Sequence, residues 1–109
     1  MITWVTGNMN SGKTRTASAI VDRYGGILLD GNDMRQVWPG LGLDREGRWE
    51  QNLRLARLAS LLDKQGHDVV VASICPYREL RDKVHKMTGC RFIYCDGGEE
   101  PSEEYPYER

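Results

Sequence analysis

The residues whose types and spacing could carry out chemistry begin with an eight-residue stretch near the start of the sequence, Gly7-Asn8-Met9-Asn10-Ser11-Gly12-Lys13-Thr14. This order matches the Walker A pattern, G-x-x-x-x-G-K-[ST]. The two glycines permit backbone conformations in which successive N–H groups point inward and bind an anion. Lys13 would bring a positive charge to the β- and γ-phosphates, and Thr14 a hydroxyl ligand for Mg²⁺. The stretch therefore predicts a loop that holds the phosphates of a nucleotide.

The segments on either side of this loop are those that a Walker A loop requires. Residues 2–6 are apolar and predict a short strand. Residues 12–24 predict a helix, because apolar residues recur there at the helical spacing i, i+3, i+4, i+7, namely at Ala17, Ile20, Val21 and Tyr24. A strand, a glycine-containing loop and a helix in this order favour nucleotide binding over a chance match.

The rest of the chain continues the alternation of strands and helices. Strands are predicted at 27–29, 69–73 and 91–95, and helices at 46–65 and from Pro76 to Met87, with a brief helix after Asp30 that Pro39-Gly40 ends. With right-handed crossovers, this order predicts an α/β protein, a three-layer P-loop NTPase sandwich on a mostly parallel sheet of about four strands. Ligands bind such sheets beyond the carboxyl ends of the strands.

Length and charge suggest one small domain, residues 1–96, followed by an acidic tail, residues 97–109, which we expect to be extended or disordered. The tail holds five glutamates, whereas residues 1–98 have 14 basic and 11 acidic side chains. Such a body suits an anionic small molecule but is too weakly basic to indicate a nucleic-acid track. The chain has no apolar run of the roughly 18 residues that a membrane span needs, and Met1 leads directly into a strand, so we expect a cytoplasmic protein.

The three cysteines, Cys75, Cys90 and Cys95, are odd in number and lack the spacing of metal ligands. Free cysteine often packs as a small hydrophobic residue. We therefore expect buried free thiols rather than metal ligands.

Polar side chains cluster in three segments: 30–35 after the second predicted strand, 48–54 at the start of the long predicted helix, and 73–78 after the third strand. Phosphoryl transfer needs a carboxylate to hold Mg²⁺ or to accept a proton, and guanidinium groups to neutralise phosphate or sulfate. Residues of these types are present in the three segments. The strand ends therefore predict a catalytic site beside the phosphate-binding loop.

From about residue 1 to 96 the chain resembles the adenylylsulfate kinases, P-loop kinases that use ATP and Mg²⁺ to phosphorylate the ribose 3′-hydroxyl of adenylylsulfate. The stretch Leu29-Asp-Gly-Asn-Asp-Met-Arg35 is similar to the family's L-D-G-D-N-[VL]-R. Asn52-Leu-Arg54 falls where the family has N-I-R, and Ile74-Cys-Pro-Tyr-Arg78 is similar to I-S-P-Y-R. The resemblance rests on the order and spacing of several motifs.

The resemblance implies roles for individual residues. Lys13 and Asp30 would be catalytic, with Thr14 and Asp30 holding Mg²⁺, and Arg35 and Asn52 would contact the acceptor nucleotide. Arg78 would line the same pocket. The alternative for Asp30 and Arg35 is a helix cap and a surface ion pair, and for Asn52 a polar residue on a helix face.

Two departures from the family pattern fall within these motifs. The family's second aspartate, a candidate base, is Asn32 here, with an acid displaced to Asp33; because an amide cannot take a proton, Asp30 or Asp33 would have to serve. The arginine that the family has three residues before the asparagine is Trp49, and Arg48 lies one position earlier, which on a helix is a rotation of about 100°. We expect Arg48 to bind substrate if it reaches the pocket, and Trp49 either to stack on a base or to pack in the core.

The third departure is at the C-terminal end, where the family continues with a basic lid and this chain has the acidic segment 97–109. Because a lid excludes water and brings cations to the transferring group, we expect slower transfer here. Three interpretations stay open: a kinase of the adenylylsulfate type, a polynucleotide or nucleoside 5′-hydroxyl kinase, and an ATP-binding module without activity. Only the second of these would bind nucleic acid. A homo-oligomer would cover a sheet edge left exposed.

Overall fold

A computed structural model describes all residues, 1–109. Eight elements alternate along the chain: β1 (Ile2–Thr6), α1 (Lys13–Tyr24), β2 (Ile27–Asp30), α2 (Gly31–Val37), α3 (Arg45–Lys64), β3 (Val69–Ala72), α4 (Arg78–Thr88) and β4 (Arg91–Tyr94). The predicted elements are all present, and most of their ends agree with the prediction to within one residue. The largest difference is at α4, which begins two residues after Pro76 because Tyr77 is still extended, with φ −105° and ψ 129°.

The four strands form one parallel sheet in the order β2-β3-β1-β4, which confirms the predicted α/β fold. β1 and β3 lie in the middle and are buried along their whole length. This explains why residues 69–72 read as an unbroken apolar run, since both faces of a central parallel strand are covered by helices. The register pairs Val5 with Ala72 and Thr6 with Tyr94, so the carboxyl ends of β1, β3 and β4 meet at one edge.

The core has two parts, one on each face of the sheet. Helices α3 and α4 cover the face that carries Trp4, Val69 and Val71. Helix α1 covers the other face, where Ala17 packs with Val5. The alternation of side chains along β1 thus places successive residues in different parts of the core. The result is the three-layer sandwich that the sequence predicted.

Helix α3 begins at a close contact with the loop that precedes it. Asp44 caps the helix by accepting a hydrogen bond from the backbone N–H of Gly47 at 3.0 Å. A Cβ at Gly47 would lie 2.7 Å from the carbonyl carbon of Gly42, so only glycine lets the loop approach this closely. The contact fixes residues 42–44, which lie beside the carboxyl edge of the sheet.

Residues 97–109 contain no helix or strand, in agreement with the expectation of an extended segment. The alternative expectation, disorder, is wrong, because this segment packs along the carboxyl edge of the sheet. The backbone N–H of Glu99 donates to the Met9 carbonyl at 2.8 Å, and that of Glu108 donates to the Pro76 carbonyl at 2.7 Å. The Tyr107 side chain is buried. Hydrogen bonding and apolar burial outweigh the high charge that suggested a solvated tail.

All three cysteines are free, with Cys75 and Cys90 buried and Cys95 half-buried. None of the helices is both long enough and apolar enough to cross a membrane.

Candidate active site

The Walker A loop connects β1 to α1 at the carboxyl edge of the sheet, and its glycines have the conformations that the sequence required. Gly7 has φ +152° and Gly12 has φ +89°, both in the region that side chains disfavour, and Asn10 has φ +62°. Gly7 also lies against the residue that follows β4, because a Cβ at Gly7 would come within 2.6 Å of the Cys95 carbonyl oxygen. The loop thus takes its shape from these two glycines and from the neighbouring strand.

Lys13 is folded back over the loop. Its ammonium group donates to the Asn8 carbonyl at 2.8 Å and lies 3.5 Å from the Ser11 hydroxyl, and no carboxylate pairs with it. Burial lowers the pKa of Lys13 below the usual lysine value. A half-buried cation whose hydrogen-bond partners are neutral gains energy from an anion, and the phosphates of a nucleotide would supply one.

Asp30 stands beside the loop at the end of β2 and contacts Thr14. The Thr14 hydroxyl donates to Oδ2 of Asp30 at 2.5 Å, and the backbone N–H of Asn32 donates to Oδ1 at 2.9 Å. Asp30 is therefore also the N-cap of α2, so its predicted capping and site roles coincide. Mg²⁺ prefers one or two protein oxygens together with phosphates and water, and the Thr14–Asp30 pair fits such an ion. Nowhere in the protein do three or more His, Cys, Asp or Glu side chains gather as a larger metal cage.

Asp33, the displaced acid, does not reach this site. It is exposed in the first turn of α2, whereas Asn32 lines the cleft. The two residues differ by one helical position, and that rotation turns the carboxylate away. The prediction that Asp33 is a catalytic residue therefore has no support from the geometry, and Asp30 is the one carboxylate of the cleft.

The cleft in front of the loop has a volume of about 540 Å³, which is in the range of small-molecule sites. Its lining includes four cationic side chains and one carboxylate: Lys13, Arg15, Arg35, Arg48 and Asp30. None of the four cations takes part in an ion pair, since the ion pairs of the protein lie elsewhere. The cleft therefore carries unpaired positive charge suited to a strongly anionic ligand.

Arg35 and Arg48 face the cleft from α2 and α3. Arg35 donates to the Leu41 carbonyl at 3.1 Å, and Arg48 donates to the carbonyls of Leu43 and Glu104. Burial, followed by the positive charge of Arg48, lowers the pKa of Arg35. Arg48 does line the cleft despite its position one residue earlier than the family's arginine. Two of the three predicted substrate-binding arginines are thus brought together in the cleft.

Asn52 lines the cleft and bonds within the protein through both ends of its amide. Its Oδ1 accepts from the Ser73 hydroxyl at 2.7 Å, and its Nδ2 donates to the Arg48 carbonyl at 2.8 Å. One N–H of the amide remains for a ligand, so the predicted contact with substrate stays a prediction. Asn52 joins the end of β3 to the first turns of α3.

Sequence reasoning missed Gln51 and Ser73, both buried and both in the lining of the cleft. Gln51 donates to the Gly31 carbonyl at 2.8 Å and accepts from the indole N–H of Trp38, so it ties α3 to the start of α2. A signal was present in the polar residues Arg48, Gln51 and Asn52, which interrupt the apolar face of α3 at helical spacing.

Arg78, predicted to line the same pocket, lies outside it. Its side chain is exposed and donates to the Arg109 carbonyl, through Nε at 2.7 Å. The reason is the late start of α4, which places Arg78 on the outer surface while Pro76 lines the cleft. Trp49 is also outside the cleft; it stacks on Tyr77 with ring centroids 6.1 Å apart, which agrees with the core interpretation rather than with base stacking.

Within the Walker A loop, the residues from Met9 to Thr14 line the cleft, whereas Gly7 and Asn8 lie behind them. Asn8 is buried, and its Nδ2 donates to the carbonyls of Glu99 and Tyr105 at 2.9 and 3.0 Å. The Asn8 side chain thus holds the C-terminal segment, and the role of Asn8 in nucleotide binding stays a prediction.

Comparison with known proteins agrees with this geometry. The sequence model of the family described as adenylylsulphate kinase matches residues 1–103 of this chain. The chain belongs to the adenylylsulfate kinase family. A probable adenylyl-sulfate kinase from Archaeoglobus fulgidus is 33% identical over 91 residues, which cover 78% of this chain and 59% of that protein. A cytidine diphosphoramidate kinase from Campylobacter jejuni is 34% identical over 91 residues, covering 79% of this chain and 54% of that protein.

Solved structures of an APS kinase and of a gluconokinase have a similar fold. An APS kinase from Mycobacterium tuberculosis in complex with AMPPNP and APS superposes with a TM-score of 0.78 at 33% identity, covering 87% of this chain and 61% of that one. A gluconokinase from Sinorhizobium meliloti gives a TM-score of 0.64 at 26% identity and covers 85% of this chain and 55% of that one. The chain spans about half the length of the curated adenylylsulfate kinases that it matches, from 47% to 59%.

Proposed function

We propose that this protein is an ATP-dependent kinase that transfers the γ-phosphoryl group of ATP to a hydroxyl of a second nucleotide, with adenylylsulfate as the first candidate acceptor. The observation that carries this proposal is the cleft with four unpaired cations beside a Walker A loop and the Thr14–Asp30 pair. Two anionic substrates are needed to account for positive charge on both sides of the cleft. Family membership supports the same reaction.

In this proposal the backbone N–H groups of residues 9–14 bind the ATP phosphates at the N-terminus of α1. Lys13 moves from the Asn8 carbonyl to the β- and γ-phosphates, which exchanges a neutral partner for a charged one. Thr14 and Asp30 would hold Mg²⁺, which neutralises charge that develops on the transferring group.

The proton of the acceptor hydroxyl is assigned to Asp30, the one carboxylate that lines the cleft. As the acceptor oxygen forms its bond to the γ-phosphorus, the bond from that phosphorus to the β-bridging oxygen breaks and ADP leaves. The proton passes to the Asp30 carboxylate. Asn32 can bind the acceptor through its amide but cannot act as the base.

Arg35 and Arg48 are proposed to bind the anionic group of the acceptor. They lie on the side of the cleft formed by α2 and α3, and guanidinium groups match the geometry of sulfate and phosphate. The relative that is named a cytidine diphosphoramidate kinase suggests that acceptors differ within this family. The acceptor class is therefore a nucleotide with a second anionic group, and adenylylsulfate is one member of it.

The test is transfer of label from γ-labelled ATP with Mg²⁺ to adenylylsulfate, cytidine nucleotides and a 5′-hydroxyl oligonucleotide. Label is expected on a nucleotide acceptor, and Lys13→Ala should abolish it. Arg35→Ala should raise the acceptor KM, whereas Arg23→Ala, which removes an exposed arginine on α1, should leave it unchanged. Label on the oligonucleotide alone would show that the acceptor is a polynucleotide and not a nucleotide with a second anionic group.

ATP-dependent thermal stabilisation without transfer to any acceptor would leave only an ATP-binding module. Because residues 97–109 stand where the family has a basic lid, we expect slower phosphoryl transfer than in kinases that have the lid. Measuring the turnover number tests this prediction. One structural relative is described as a hexameric APS kinase, so we also propose a homo-oligomer, which light scattering tests.

A further inference from the structure

The C-terminal segment, residues 98–108, packs against the Walker A loop and contributes no residue to the lining of the cleft. Besides the bond from the Glu99 N–H to the Met9 carbonyl, Asn10 donates to the Glu99 carboxylate at 3.1 Å. Asn8 donates to two carbonyls of the segment, as described above. Three consecutive residues of the loop are thus bonded to this one segment, which we call the strap.

The strap also reaches the opposite wall of the cleft. The Glu104 carbonyl accepts a hydrogen bond from Nη2 of Arg48 at 2.9 Å. Nε of Arg48 donates to the Leu43 carbonyl, so the guanidinium is held between two backbone oxygens and is 6% exposed. The strap therefore connects the phosphate-binding loop to an arginine on the acceptor side.

Tyr107 anchors the far end of the strap. The single proton of the Thr6 hydroxyl goes to the Ile74 carbonyl at 2.5 Å, so the Tyr107 hydroxyl donates to Thr6 at 2.9 Å. The Tyr107 ring packs against Tyr94, with centroids 5.6 Å apart, and the Arg81 guanidinium lies 4.8 Å from its centroid. Burial raises the pKa of Tyr107, which keeps the phenol protonated as a donor.

We propose that residues 98–108 act as a strap that fixes the distance between the Walker A loop and Arg48, and that Asn8 and Tyr107 are positioning residues for phosphate binding. A loop with two glycines is flexible when unsupported, and ordering it before the ligand arrives removes that entropic cost from binding. The ligand in this inference rests on the proposed function, whereas the order of the loop can be measured without any ligand.

Gly98 offers a direct perturbation. A Cβ at Gly98 would lie 2.8 Å from the Met9 carbonyl oxygen and 2.8 Å from the Ser11 Cβ, so in Gly98→Ala the strap or the loop must move. Gly98 does not have a positive φ, so the change acts through this collision and not through backbone strain. Glu100→Ala is the matched control, because Glu100 is exposed and its side chain makes no hydrogen bond.

Tyr107→Phe is the second perturbation, which removes only the hydroxyl that reaches Thr6. Its control is Tyr105→Phe, which removes a hydroxyl that bonds to nothing and keeps the Tyr105 carbonyl that accepts from Asn8. Together the two pairs separate loss of the strap contacts from general effects of changing this segment.

The measurements are amide hydrogen exchange of the ligand-free protein and calorimetric titration with ATP. Gly98→Ala and Tyr107→Phe should speed exchange in residues 7–12 relative to β3 and raise the ATP Kd on the order of tenfold, while both controls match the parent protein. Unchanged exchange in residues 7–12, or an unchanged Kd in the folded variants, would overturn the strap even if the melting temperature fell.

The outcomes for the strap and for the proposed function can be told apart. If the parent protein fails to bind ATP, the proposed function falls, while the exchange comparison still decides whether the strap orders the loop. If ATP binds and phosphoryl transfer proceeds equally in all variants with the same KM, the kinase proposal stands and the positioning role is refuted.

Discussion

Removing the Asp30 carboxylate should separate its contribution to stability from its contribution to catalysis. Asp30→Ala loses the cap of α2, about 1 kcal/mol, and the hydrogen bond that Thr14 donates to a charged acceptor, about 1.5–3 kcal/mol. Thr14 is exposed and can turn to water, so the lower end applies and the total loss should be about 2.5 kcal/mol. In a domain of this size, that loss lowers the melting temperature by roughly 10–20 °C.

Asp30→Asn keeps one acceptor oxygen, so it should retain either the cap or the Thr14 bond and lose about 1 kcal/mol. It cannot accept a proton, and phosphoryl transfer should fall by at least about a hundredfold. The two variants therefore differ in stability but are alike in lost activity.

The assay combines thermal unfolding, without ligand, with transfer of label from ATP to the acceptor. Asp33→Ala is the matched control on the same helix, because Asp33 is exposed and makes no hydrogen bond through its side chain. It should cost at most about 0.3–1 kcal/mol through the helix dipole and leave transfer intact. If Asp33→Ala abolished transfer while Asp30→Asn did not, the assignment of the carboxylate would be refuted.

Three further predictions concern the backbone contact at Gly47, the charge of Lys13 and the thiols. Gly47→Ala, which puts a Cβ 2.7 Å from the carbonyl carbon of Gly42, should cost about 1–3 kcal/mol in urea unfolding, and an unchanged midpoint would show that the loop yields freely. Lys13→Met should leave the ligand-free protein at least as stable and abolish its stabilisation by ATP. Because folding lowers the pKa of Lys13, the unfolded chain binds more protons than the folded protein below the usual lysine pKa of 10.5. The free energy of unfolding of the parent protein should therefore rise with pH in that range relative to the variant, and parallel pH profiles would contradict this. Burial raises the pKa of Cys75 and Cys90, so a thiol reagent at pH 8 should modify at most one of the three cysteines until denaturant is added, and rapid reaction of all three would show that the core opens.

Much of the fold and part of the site could be read from residue order. The Walker A loop, the unbroken apolar run of β3 and the amphipathic α3 are local patterns, and each forms the element that its period requires. The motif around Asp30 could be placed at a strand end in the same way. These predictions succeeded because backbone sterics, side-chain alternation and helix capping act over a few neighbouring residues.

The structure alone decided which of the predicted side chains share the cleft. Arg48 and Asp30 are in it, whereas Arg78 and Asp33 are not, and in each case a shift of one or two residues in a helix start or a helical rotation makes the difference. Sequence-based boundaries are uncertain by at least that amount. The packing of residues 97–109 could not be predicted from the sequence either. Their acidic composition indicates a solvated segment, but it carries no information on the backbone hydrogen bonds and the one buried tyrosine that hold the segment in place.

The sequence by itself thus determined the phosphate-binding loop, the alternation of elements and the family, since each is encoded in short segments. Only the tertiary structure decided that the Ser73 hydroxyl donates a hydrogen bond to Asn52 and that the strap connects Asn8 to Arg48. Those contacts link residues far apart in the chain, and their formation depends on the parallel sheet first bringing the carboxyl ends of β1, β3 and β4 to one edge.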